Sequence, residues 1–134
     1  FKNLSIEIKK KKPIFKIYGS KYKTKDGTCI RDYIHVSDIS EIHYKVLLKI
    51  NKYNNSIILN CGYGKGISVN ETVKEFSKYA NKNLKVIKYP KRKGDMVKVI
   101  SDSSKLKKFI KWRPKFNNLS KIVKSCINWE KKIK

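Results

Sequence analysis

Residues 57 to 80 constrain the fold of this 134-residue chain more than any other stretch. Ile57 to Leu59 is a short apolar run suited to a buried strand, and it leads into Gly62-Tyr63-Gly64-Lys65-Gly66. Ser68-Val69-Asn70-Glu71 then carries the capping-box pattern, in which a hydroxyl and a carboxylate three residues apart satisfy each other's backbone amides at a helix start. Val73, Phe76 and Ala80 continue one apolar face at helical spacing. Strand, glycine turn and capped helix in immediate succession point to an α/β fold.

The flanking segments keep that character. Ile14 to Tyr18 is a strand candidate ended by Gly19, and a polar turn around Lys25, Asp26 and Gly27 leads to a second extended candidate, Tyr33 to Val36. Ser37 or Asp38 is placed to cap a helix whose apolar face would be Ile39, Ile42, Val46, Leu47 and Ile50. Leu84 to Ile87 reads as a strand stopped by Pro90, Ser103 to Ile110 as a short helix, and Leu119, Ile122, Val123, Cys126 and Ile127 as the face of a terminal one. No internal repeat or low-complexity linker divides the chain, so a single unit over residues 1–134 is expected.

A domain of this length buries roughly two thirds of the surface its unfolded chain exposes, enough for one core. The chain opens at Phe1, with no signal-like segment and no apolar run near the ~18 residues a membrane span requires. The expectation is a cytoplasmic piece of a longer protein, with no membrane partner. The formal charge of +24 would ordinarily indicate nucleic acid. Lysine is spread from Lys2 to Lys134, however, alongside abundant Ile and Asn, as an A/T-rich coding bias would produce in any protein. No specific nucleic-acid partner is expected, only weak, salt-sensitive polyanion binding. Cys29, Cys61 and Cys126 are odd in number and widely spaced, and His35 and His43 lie eight residues apart, so reduced thiols and no metal site are expected.

Three stretches have chemical potential. The glycine-rich turn follows a strand candidate and precedes a capped helix, as a phosphate-cradling loop would. Its spacing fails: Ile67 stands where a dinucleotide fingerprint needs glycine, and Lys65 is followed by Gly66 rather than Ser or Thr. A tight backbone turn is the better reading. Pro90-Lys91-Arg92-Lys93-Gly94-Asp95 holds one of only three arginines. Arginine's planar fork grips phosphate oxygens bidentately and lysine cannot copy it; a surface Arg92–Asp95 ion pair is the competing account. The third stretch delivers Arg31 and Tyr33 on alternate positions of an extended segment, so that both would face one way. Arg113, between Trp112 and Pro114, is more simply explained by aromatic packing.

The run DGTCIRDYIHVSD, then NCGYGKGISV, then KRKGDMVKVISDSSK and KWRPKF, in this order and with these separations, resembles the carboxy-terminal part of the UDP-glucose 4-epimerase family. That family belongs to the extended short-chain dehydrogenase/reductases, and the likeness runs from about Ile14 to the end. It implies a nucleotide-sugar-binding lobe, a small mixed sheet with helices, beside an amino-terminal NAD-binding Rossmann domain absent here. Arg31 and Arg92 match the family arginines that hold the UDP pyrophosphate. Lys16, Ile17 and Tyr18 match the strand lining the uracil, with Tyr18 at the stacking position. Asp95 matches the acid that contacts the ribose, Tyr33 supports Arg31 and the nucleotide, and Val69 falls on the nucleotide side. Val99 matches the position against the sugar's 2-substituent, where a small residue leaves room for an N-acetyl group.

In such enzymes NAD takes hydride from C4 of the sugar, the 4-keto intermediate rotates, and hydride returns to the other face, with a tyrosine activated by a lysine four residues later as base. Those parts are missing. Tyr18, Tyr44 and Tyr63 have Tyr22, Leu48 and Ile67 four residues on where lysine is needed, and Tyr89 and Lys93 lie in a proline-flanked turn. The resemblance therefore implies no catalytic residue here, an inactive chain on its own, and an isomerase only as the complete protein, expected as a homodimer. The implied substrates are UDP-glucose and UDP-galactose, and UDP-N-acetylhexosamines by way of Val99. The alternatives are the lobe of a related nucleotide-sugar epimerase or dehydratase, a purely structural fragment, and a basic RNA-binding module; the last would need surface aromatics interleaved with the lysines.

Overall fold

A computed structural model describes residues 1–50, 52 and 56–133. In chain order the elements are α1 (Lys2–Glu7), β1 (Ile14–Tyr18), β2 (Ile30–Arg31), α2 (Val36–Ile50), β3 (Ile67–Ser68), α3 (Val69–Ala80), β4 (Lys85–Tyr89), β5 (Lys98–Val99), α4 (Ser104–Ile110) and α5 (Leu119–Lys132). The strands form a parallel pair, β1 with β4, and a small mixed sheet in which β2 runs antiparallel to β3 and parallel to β5. The architecture is α/β, as the periodicity indicates.

Local chemistry explains the helices. Ser68 and Glu71 close the expected capping box: the Glu71 amide donates to Ser68 Oγ at 3.0 Å and the Ser68 amide to Glu71 Oε2 at 2.7 Å. Such a cap is worth about 1 kcal/mol. Val73 and Phe76 then pack with Ile17 of β1, Leu84, and Val123 and Ile127 of α5. Leu4 and Ile8 extend this core through α1, an element the sequence pattern did not reveal. A second cluster joins Ile42 of α2 to Leu106 and Trp112. No described helix is long and apolar enough to cross a membrane.

Four sequence expectations are corrected. Tyr33 to Val36 is not a strand: β2 ends at Arg31 and α2 begins at Val36. The His35 ring accepts the Ser37 amide at 3.0 Å and its carbonyl takes the amides of Asp38 and Ile39, so His35, not Ser37 or Asp38, starts the helix. Ile57 to Leu59 is not in a ladder, because no described strand runs beside it, and Ile58 is 83% exposed. Leu47 stands away from the core face of α2, exposed beside Tyr44 and Leu48.

Asp38 is instead fully buried in the first turn of α2. Its carboxylate accepts the Tyr63 hydroxyl at 2.6 Å and the amides of Lys115 and Phe116 at 3.1 and 3.0 Å. One buried anion thus ties α2, the glycine turn and the segment before α5 together. Burial and the Asp38 carboxylate push the Tyr63 phenol well above its usual range.

Candidate functional site

The parallel pairing of β1 and β4 opens one wall of a cleft of about 450 Å³, whose lining includes Ile14 to Tyr18, Cys29, Arg31, Val69, Arg92 and Asp95. Seven of the nine residues singled out in the sequence, Lys16, Ile17, Tyr18, Arg31, Val69, Arg92 and Asp95, therefore meet here. Asn3 and Glu7 of α1 close one side.

Arg31 is held by backbone on both flanks, because it pairs with Ile67 of β3 and with Val99 of β5. Its Nη1 donates to the Ile30 carbonyl at 2.9 Å, and its Nη2 lies 3.9 Å from Asp95 Oδ1. That separation is a long ion pair, so most of the guanidinium's donors remain available to an anion. The Arg92 guanidinium lies over the Tyr18 ring, 3.8 Å from its centroid, and the same ring sits 5.3 Å from that of Tyr89. Arg92 is thus a cation–π neighbour of Tyr18, and the partner of Asp95 is Arg31. Two arginines beside an aromatic ring and a carboxylate suit an anion that carries a flat ring and hydroxyl groups.

Tyr33 and Val99 are not in this lining. Because β2 stops at Arg31, the alternation that would carry Tyr33 to the same side as Arg31 is lost. The Tyr33 ring instead meets Phe1 edge-on at 4.4 Å, and burial raises its phenol pKa against the opposing pull of the Thr72 hydrogen bond and Arg31. Val99 sits directly across the ladder from Arg31 and is 39% exposed, so it is not a core residue. Arg113 is exposed and outside the cleft.

The glycine turn resolves against a phosphate cradle. The amides of Tyr63 and Gly64 donate to Asp32 at 3.1 and 2.9 Å, and that of Ser101 at 3.3 Å, so a carboxylate of the chain itself fills the nest. Gly62 is needed for the approach, since a Cβ there would lie 2.4 Å from that of Ser101. Asp32 went unnoticed in the sequence; its place directly after an arginine in a lysine-rich chain was the available signal. Among the described residues no group of three or more His, Cys, Asp or Glu could hold a metal ion.

No protein-family model matches the chain. It is 36% identical over 123 residues to a UDP-glucose 4-epimerase of Azospirillum brasilense, covering 92% of this chain and 35% of that protein. Its fold superposes on the UDP-Glc/GlcNAc 4-epimerase of Campylobacter jejuni with a TM-score of 0.86 at 42% identity, over 97% of this chain and 39% of that one. A UDP-glucose 4-epimerase from Bifidobacterium longum in complex with NAD+ and UDP gives 0.85 at 31% identity, over 98% and 38%. The chain thus spans a little over a third of the length of these relatives.

Proposed function

In sequence and fold this chain corresponds to the carboxy-terminal part of the UDP-glucose 4-epimerases, and from that premise we propose that it supplies the UDP-sugar-binding side of an NAD-dependent isomerase interconverting UDP-glucose and UDP-galactose. The observation that carries the reading is the meeting of Arg31 and Arg92, from widely separated segments, at one cleft with Tyr18 and Asp95. The two guanidinium forks take the pyrophosphate oxygens, as lysine ammonium groups cannot do bidentately. Tyr18, with Lys16 and Ile17 beside it on β1, takes the uracil face, and Asp95 accepts from the ribose hydroxyls. Val69, at the start of α3, closes the nucleotide side. Tyr33 acts behind Arg31 rather than on the ligand.

Among the described residues, the glycine turn does not fit NAD. The turn that most resembles a dinucleotide loop has its amides committed to Asp32, and Gly62 is pressed against Ser101. In this reading the cofactor belongs to the amino-terminal part of the complete enzyme, and the present chain binds and orients the nucleotide while contributing no catalytic residue. The family resemblance further supports a cytoplasmic homodimer for the complete protein. We extend the substrate range to UDP-N-acetylhexosamines, because Val99 flanks Arg31 and is small and exposed.

Calorimetric titration of UDP into the complete protein tests the assignment. Arg31→Lys and Arg92→Lys should each weaken binding by about 1–3 kcal/mol, the worth of charge-assisted hydrogen bonds that lysine does not reproduce. Arg113→Lys should change it little. Equal effects of all three would mean that charge rather than fork geometry holds the ligand, and an unmodified protein that does not bind UDP would sink the proposal.

A further inference from the structure

A uracil ring presents a face and an edge. Tyr18 offers an aromatic surface to the face. The edge, where the N3–H donor lies between the O2 and O4 acceptors, calls for a side chain that accepts and donates in one plane. Most polar groups of the cleft lining cannot do this. Arg31 and Arg92 are cations that only donate, and Asp95 only accepts. Lys16 only donates, and its ammonium lies over the Tyr89 ring, 5.2 Å from the centroid. Glu7 only accepts, and Lys10 already donates to its Oε1 at 2.5 Å. The Cys29 thiol is a weak donor and a weak acceptor. Asn3 is different: it carries an acceptor oxygen and a donor nitrogen side by side, and among the described residues no hydrogen bond engages its amide.

The fold holds Asn3 on the cleft side of α1. Leu4 and Ile8 are buried in the core, so Asn3 and Glu7, each one position earlier and four residues apart, share the adjoining face. Both line the cleft beside Ile14 and Phe15, where β1 begins. The helix is short, but it is tied at both ends. Lys2 donates to the Glu130 carboxylate, and Lys82 Nζ donates to the carbonyls of Ile8 and Lys10 at 2.8 and 3.0 Å. Asn3 therefore stands on a fixed support, already at the cleft in the ligand-free protein.

We propose that Asn3 is a specificity-determining residue that reads the base: its Oδ1 accepts the uracil N3–H while its Nδ2 donates to O4. The inference rests on the UDP-sugar reading above and adds to it the side chain that recognises the nucleobase by its edge.

The test is Asn3→Ala in the complete protein, titrated with UDP and with UDP methylated at N3, which lacks the donor. Alanine favours a helix more than asparagine does, so α1 keeps its place. The unmodified protein should prefer UDP over the methylated analogue by at least tenfold. Asn3→Ala should weaken UDP about tenfold, the loss of two neutral hydrogen bonds, and leave the analogue unchanged, so that the preference collapses. Unchanged UDP affinity, or an unmodified protein that binds both ligands alike, overturns this inference alone; the free backbone edge of β1, which pairs only with β4 among the described residues, would then be the reader. An equal loss for both ligands also overturns it, since Asn3 then acts through the fold. Failure of the unmodified protein to bind UDP removes the reading and this inference together.

Discussion

Replacing Asp32 with asparagine asks whether the nest around the glycine turn is a structural joint. The substitution keeps the side chain's size and one acceptor oxygen but turns the other into a donor. Oδ1 receives the Tyr63 amide, and Oδ2 receives those of Gly64 and Ser101. Whichever way the new amide turns, its NH₂ faces at least one backbone N–H. The better orientation keeps Gly64 and Ser101 and loses Tyr63. A hydrogen bond to a charged group is worth about 1.5–3 kcal/mol and a neutral one about 0.5–1.5, so losing one and weakening two comes to about 3 kcal/mol. Asp32 is only half-buried and the Ser101 contact is long, so water recovers part of this, leaving about 2 kcal/mol. Urea unfolding should register it as a lower midpoint at an unchanged slope. UDP affinity should fall too, because Asp32 anchors the strand end that carries Arg31. A stability change under about 0.5 kcal/mol, well below the hydrogen-bond terms above, or a gain of phosphate binding at the turn, would refute the reasoning; the second result would mean that Asp32 merely plugs an anion site.

Val99→Tyr should abolish turnover of UDP-N-acetylglucosamine by the complete enzyme while sparing UDP-glucose, because the added ring fills the space beside Arg31; steady-state assays in which both activities fall alike would make Val99 a packing residue. Asp26 gives a pH prediction. Burial raises its pKa, but hydrogen bonds from Ser68 and Thr28 outweigh burial and bring it below the ordinary 3.8. Its contribution is therefore present above that value and is lost as pH falls through the lower folded one, so the urea midpoint should drop below about pH 4 and drop less in Asp26→Asn.

What was legible in the sequence was local. The capping box at Ser68, the Val73 and Phe76 face and the α5 stripe each depend on residues within a turn or two of one another, and all three stand as read. The strands β2, β3 and β5 were invisible because two residues are too few to show an alternation, and only distant partners make them strands. Ile57 to Leu59 had a strand's composition but lacks a described neighbour, and composition alone does not make a ladder. His35 as a helix start was equally hidden: its ring is seated by stacking on Phe116 at 4.5 Å, some eighty residues on. At the cleft, residue chemistry alone singled out the arginines. Tyr18, Val69 and Asp95 were assigned through family resemblance, and Tyr33 is set back from the cleft because β2 is shorter than the spacing argument assumed.

The pairing of β1 with β4 joins Ile14 to Lys85 and Tyr18 to Tyr89, so it closes a chain loop of about 70 residues. Contacts that distant form after local ones and weigh on the folding rate. The cleft straddles this seam, with β1 on one side and the turn after β4 on the other, so neither half of the chain holds a working fragment of it. Any ligand that bridges the two sides would act as a clasp on the whole fold: at a hundred times its dissociation constant it adds about 2.7 kcal/mol to global stability. Protection from proteolysis would then spread over the chain, including the helices that never touch the ligand.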